Sequence, residues 1–315
     1  MMHVTCSECE TIFPVPPGTN RFRCPICRPA TFNRQPPLPP PSSHGGKKAV
    51  ICGVSYRRTR YELKGSINDA KSMKHLLLNT FNFPHSSILM LTEEESNPYM
   101  KPTKANIRMA LSWLVQGCQR GDSLLFHYSG HGSQQKDYTG DELDGYDETI
   151  VPMDFEKQGM IIDDEINETI VRPLPYGVKL HAIVDSSHSG TVLDLPFLCR
   201  MNSYGQYEWE DHRPRSGTWK GTSGGEVVAF SGCDDDQQSA DTSTLFGASA
   251  GVMTVSFIQA IERGQGTTYG NILNSMRSSI RNSSDQKRGL RGGFIQEPQL
   301  TACEPFDVYS KPFYL

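Results

Sequence analysis

From Lys47 onward the chain alternates short, nearly continuous apolar runs with longer amphipathic stretches, and this alternation is the tightest constraint on its fold. The runs at 49–54, 87–91, 123–128, 180–184 and 226–230 are too short for core helices and too uniformly apolar for strands with one wet face. They read as strands buried on both sides. Between them, 68–81 places Ala70, Met73, Leu76 and Leu77 on one helical face. Thr103 caps a second helix in which Ile107, Ala110, Leu111 and Leu114 recur at helical spacing. Two further helices are expected at 253–262 and 269–280. Strand and helix in turn make βαβ units, hence an α/β fold with an open, mainly parallel sheet and helices on both faces.

Three segments follow from composition: 1–28 with paired cysteines, 29–46 as a proline-rich linker, and 47–315 carrying the α/β pattern. The linker is an extended spacer without the means to pack a core. In the first segment Cys6 and Cys9, then Cys24 and Cys27, form two C-x-x-C pairs. Two thiolate pairs on tight turns supply the tetrahedral sulfur shell that Zn2+ prefers, and so small a module needs the metal to hold it together. A redox C-x-x-C is the weaker alternative, because two copies occur at finger spacing. The remaining cysteines, Cys52, Cys118, Cys199, Cys233 and Cys303, follow no spacing and read as small buried hydrophobes.

The bulk charge narrows the partners. The 31 Lys+Arg against 35 Asp+Glu leave a net charge of −4, too weak a field to make nucleic acid an obligatory partner. No apolar run approaches membrane-spanning length, and the first residues lack the basic start and apolar centre of a secretory signal. A reducing compartment is expected, cytoplasm or nucleus.

In open parallel sheets the reactive groups gather at the carboxyl ends of strands. Two predicted strands end in polar signatures: His127-Tyr128-Ser129-Gly130-His131-Gly132 and Asp185-Ser186-Ser187-His188-Ser189-Gly190-Thr191. They resemble the two hallmark stretches of the metacaspases, caspase-like peptidases of plants, fungi and protists. The resemblance extends to Lys64-Gly65-Ser66-Ile67-Asn68-Asp69-Ala70, to the Glu304–Tyr309 stretch and to the finger with its linker, which looks like a lesion-simulating-disease-type finger. The arrangement resembles that of a plant type I metacaspase.

The resemblance implies a caspase-like fold and a cysteine-type endopeptidase cutting after Arg or Lys, with calcium as activator. His131 matches the catalytic base. The nucleophile position holds Ser187, where the family has cysteine, and a second family cysteine is replaced by Ser66. Asp69, Ser129 and Asp185 match the pocket for the basic side chain, and Asp147, Asp163, Asp164 and Asp194 match the calcium ligands. The stretch 141–168 holds 11 acidic residues and one Lys, suiting a hard cation, although a solvated acidic face is the ordinary reading of such a run. The segment 201–225 reads as an exposed loop, with Arg213, Arg215 and Lys220 as candidate self-cleavage sites. The finger implies a protein partner. Serine in place of cysteine also opens a pseudopeptidase reading, in which the pocket binds basic peptides without cleaving them. A serine hydrolase is a third option, but Ser187 lacks a G-x-S-x-G elbow and no third group to orient the base is visible. His127 and His181 lie inside strands and His188 beside the nucleophile position, all three as supporting groups.

Overall fold

The computed structural model describes residues 2–5, 11–15, 21–26, 30–32, 46–140, 145–187, 189–234, 251–264, 266–288 and 296–315. Near the amino terminus, β1 (Met2–Thr5) pairs antiparallel with β2 (Ile12–Val15), and β3 (Arg21–Arg23) with β4 (Ala30–Phe32). Cys6, Cys9 and Cys27 lie outside the described residues, as does His188. Cys24 is buried, and its sulfur accepts the backbone N–H of Ile26 at 3.4 Å.

The α/β pattern forms as its periodicity demands. In chain order come β5 (Lys47–Gly53), α1 (Ser66–Asn79), β6 (Ile88–Thr92), α2 (Lys104–Val115) and β7 (Ser123–Ser129). Thr103 caps α2 by accepting the Asn106 N–H at 3.2 Å. The chain continues through β8 (Gly132–Lys136), β9 (Tyr146–Ile150), the one-turn α3 (Phe155–Gln158), β10 (Ile161–Ile162) and α4 (Asp163–Ile166). Then follow β11 (Lys179–Asp185), β12 (Phe197–Met201), β13 (Tyr207–Asp211), β14 (Glu226–Asp234), α5 (Val252–Glu262), α6 (Tyr269–Arg288) and β15 (Gln296–Ala302).

The main sheet has eight strands in the order β13-β12-β15-β14-β11-β7-β5-β6. The five apolar runs of the sequence are its parallel strands, β6, β5, β7, β11 and β14. The other three strands extend it antiparallel beyond β14. They contain Arg200, Glu208, Glu210 and Glu297, so the continuous apolar signature of a doubly covered strand is missing there. The segment 201–225 is accordingly more than an exposed loop: it contains edge strand β13, and Lys220 and Gly221 within it are buried.

Side chains alternate between two cores. On one face Val50, Cys52, Leu124, Phe126, Leu180 and Ala182 pack with Ile107, Leu111 and Leu114 of α2. On the other, Ala49, Ile51, Leu125, Ile183 and Phe230 pack with Met73 and Leu77 of α1, Phe257 of α5 and Ile272 of α6. Cys52, Cys199 and Cys303 are buried and Cys118 half-buried. Burial pushes the thiols of Cys199 and Cys303 up to about 12, as expected of inert core cysteines.

Candidate active site

Three parallel strands end at one level. The register places Gly53, Ser129 and Asp185 side by side at the carboxyl ends of β5, β7 and β11. Residues in register on parallel strands point the same way, so Ser129 and Asp185 face the α1–α5 side. Gly53 lets α1 sit down on this edge: a Cβ there would lie 2.6 Å from the Ser66 carbonyl oxygen and 2.9 Å from the Ala70 Cβ. That approach brings Asp69, in the first turn of α1, within 2.7 Å of the Ser129 hydroxyl, which donates to its Oδ2.

Asp185 receives the backbone N–H of Thr254, at the start of α5, at 2.7 Å. The Thr254 hydroxyl in turn lies 3.0 Å from Nε2 of buried His127, giving that strand histidine its supporting role. Burial drives the Asp69 carboxyl up to about 6, opposed by the Ser129 hydrogen bond. Burial also lifts Asp185 to about 7, opposed by the Thr254 N–H and reinforced by the charge of Asp69. Two buried carboxylates therefore converge here, and among the described residues neither has an ion-pair partner. Such a pair resists ionising until a cation arrives.

The other half of the site lies just past the same strand ends. His131 follows β7 by one residue beyond Gly130, and Ser187 stands two residues after β11. Their loops touch, because a Cβ on Gly132 would overlap the carbonyl oxygen of Ser187. Only glycine allows that approach. Gly132→Ala is expected to cost roughly 3 kcal/mol or more, since the obstruction is backbone and cannot swing away. A urea denaturation midpoint equal to that of the parent chain would show that the two loops do not meet.

His131 is 6% and Ser187 3% exposed. The His131 Nε2 lies 2.8 Å from the Tyr61 carbonyl oxygen. A carbonyl only accepts, so Nε2 carries the proton and Nδ1 is left as the basic atom. Burial lowers the imidazole's affinity for a proton, opposed by that carbonyl, so the ring is a neutral base near pH 7. The Tyr61 carbonyl is thus the orienting group that no side-chain motif revealed. The ring also rests against Tyr56 with centroids 4.6 Å apart, and the Tyr56 hydroxyl takes the His131 N–H at 2.9 Å while donating to Val151 O at 2.6 Å. Tyr56 holds a left-handed backbone, φ 51°, a strained conformation that its three polar partners impose.

The four acidic residues matched to calcium lie on the elements that follow these loops. Asp147 is on β9 and Asp163 and Asp164 open α4, while Asp194 is reached from Ser187 through the turn at 189–193. Asp163 is fully buried and spends its oxygens on the backbone N–H groups of Glu148 at 3.0 Å and Asp164 at 2.8 Å. Asp164 and Asp194 converge on one cation, the ammonium of Lys220. Among the described residues no group of three or more His, Cys, Asp or Glu stands in metal-holding geometry. Carboxylate oxygens are the donor type that suits a hard cation, and two of these four face one charge, that of Lys220.

Several of these groups had no sequence signal. Thr254 sits at a helix start known only from its apolar face, and Tyr56 and Tyr61 lie in a loop of ordinary composition. A glycine just before a periodic apolar run is the one hint that Thr254 left.

Comparison with known proteins identifies the family. Residues 47–196 match the family model described as metacaspase, peptidase C14 domain. Metacaspase-1 of Arabidopsis thaliana is 60% identical over 354 residues, covering 100% of this chain and 96% of the relative. Metacaspase-2 of the same plant is 57% identical, covering 88% of this chain and 74% of the relative. Metacaspase-1B of Neurospora crassa is 36% identical, with 88% and 75% covered. A crystal structure of a protein from Geobacter sulfurreducens superposes with a TM-score of 0.53 at 20% identity, over 85% of this chain and 97% of that one, a likeness of fold. With a caspase-like sheet and likeness along its whole length to plant metacaspases, this chain is a member of the metacaspase family of peptidases.

Proposed function

We propose that this chain is built as a calcium-activated endopeptidase for peptide bonds after Arg or Lys, with the nucleophile position held by Ser187. The observation that carries the specificity is the convergence of Asp69, Ser129 and Asp185 beside the His131 and Ser187 loops. Two desolvated carboxylates are costly to keep without a counter-charge, and a guanidinium or ammonium from a substrate supplies it. In this reading Nδ1 of His131 takes the proton of the nucleophile, and Asp147, Asp163, Asp164 and Asp194 serve calcium. Cys6, Cys9, Cys24 and Cys27 hold structural zinc, in a finger that docks a protein partner. The domain boundaries are 1–28, 29–46 and 47–315, and the protein works in the cytoplasm or nucleus, with no obligatory nucleic acid or membrane partner.

A second reading is favoured by Ser187 itself. A thiol is partly thiolate near neutrality, whereas a hydroxyl needs a closely held base throughout the attack. With serine present, the protein serves as a binder of basic peptides, a pseudopeptidase. Both readings require the pocket, which can be tested without turnover. Calorimetric titration of the chain as it stands should show an Arg-ended peptide binding at least ~10-fold more tightly than its citrulline counterpart, which has the same shape without the charge. Equal binding of the two would remove the pocket assignment.

A further inference from the structure

Lys220 is an unusual cation. Its side chain is 3% exposed, and its ammonium pairs with Asp164 on α4 and with Asp194 in the turn that follows the Ser187 loop. Its backbone is held as well. The Asn167 amide donates to the carbonyls of Lys220 at 3.0 Å, Leu193 at 3.0 Å and Asp194 at 3.1 Å. Just before it, the Trp219 carbonyl accepts from Arg172 at 3.1 Å. A long, flexible side chain has been drawn out of water into a site formed by two carboxylates, which is costly unless those carboxylates need a cation.

The same turn joins this place to the nucleophile. The Thr191 hydroxyl donates to Glu148 at 2.6 Å, and Glu148 gives its N–H to Asp163. The Ser189 hydroxyl lies 2.8 Å from the carbonyls of both Ser186 and Gly232. A change of cation between Asp164 and Asp194 is therefore felt within a few residues of Ser187. Lys220 is also followed by Gly221, and a Lys–Gly bond is of the kind the proposed specificity would cut.

We propose that Lys220 is a tethered occupant of the calcium site: its ammonium closes the pair Asp164–Asp194 in the resting protein, and calcium binds by expelling it. This rests on the calcium reading above and adds a consequence. A divalent cation between two carboxylates repels the ammonium, which leaves for water and thereby removes one of the anchors of residues 219–221. The Lys220–Gly221 bond is inaccessible to any peptidase while the ammonium is buried, and becomes accessible when calcium is bound. The calcium affinity of the protein is set low by this internal competitor.

Two measurements on the full-length Ser187 chain test this without any turnover by the protein itself. In the first, calcium is titrated calorimetrically into the parent and into Lys220→Met, which keeps the stem and removes the charge. The expected result is affinity at least ~10-fold tighter in the variant, because no competitor has to be expelled. Equal or weaker binding in Lys220→Met, with the parent binding calcium, overturns the role of Lys220 and leaves the ligand assignment standing. Absence of calcium binding in both proteins overturns the ligand assignment and this inference with it. The second measurement needs no variant. Brief trypsin treatment of the parent, read by mass spectrometry, should cut after exposed Arg215 with or without calcium, and after Lys220 only with calcium. Cleavage after Lys220 that is unchanged by calcium overturns the expulsion.

Discussion

Ser187→Cys is expected to raise hydrolysis of an Arg-ended fluorogenic peptide by at least ~10^3-fold over the chain as it stands, in millimolar calcium. In the proposed reading His131 is the base. The Tyr61 carbonyl fixes the proton on Nε2 of His131, and burial keeps the imidazole neutral, so Nδ1 is the nitrogen without a proton. A thiol with an imidazole partner gives up its proton readily, whereas a serine hydroxyl, with its higher pKa, needs a closely held base throughout the attack. Gly132 packs directly against the Ser187 carbonyl, so activity and melting temperature should be measured together. Equal rates for both forms would show that serine is competent in this site. Activity in neither would place the defect outside Ser187, against the peptidase reading.

The second large effect concerns Asp185, where function and stability pull in opposite directions. If Asp185 is the buried partner of the guanidinium, as proposed, Asp185→Asn in the cysteine background should lower kcat/KM for Arg-ended peptides by at least ~100-fold. In the unliganded protein the same change should raise stability. The folded-state carboxyl titrates near 7 for Asp185 and near 6 for Asp69, both above the usual value of 3.8 because burial penalises the charged form. The folded protein then holds protons that the unfolded chain has released, so stability falls as pH rises from about 4 through 7. Asn cannot ionise, and its amide oxygen can still accept the Thr254 N–H. At pH 8 the variant should gain on the order of 1–3 kcal/mol, seen as a Tm several degrees higher, and the gain should vanish near pH 4. Affinity for the Arg-ended peptide runs the other way, weakening as pH falls below 7, because the ligand needs the ionised pair. An Asp185→Asn protein less stable than its parent at pH 8 would contradict the burial of an unpaired carboxylate.

Much of the fold was legible in the sequence because burial on two faces leaves a plain trace. The five parallel strands are continuous apolar runs, and each helix against them carries its stripe, as Met73 and Leu77 do in α1. Strands β12, β13 and β15 left a weaker trace, for they lie at the antiparallel end and mix Arg and Glu with apolar residues. The chemistry-bearing residues were visible where glycine and polar types crowd a strand end, as at His131, Ser187 and Asp185. Asp69 was visible only by likeness, since one acid in a first helical turn is usual.

What the sequence by itself determined is the set of strands, the stripes that cover them and the reactive types at two strand ends, because these depend on local periodicity and on side-chain chemistry. The tertiary structure alone decided which distant groups meet. It brought the Tyr61 carbonyl to His131, the start of α5 to Asp185 and the ammonium of Lys220 to Asp164 and Asp194. A backbone carbonyl or a helix terminus has no residue type that announces it, and a lysine that reads as surface charge becomes a buried cation only once two carboxylates have been folded around it.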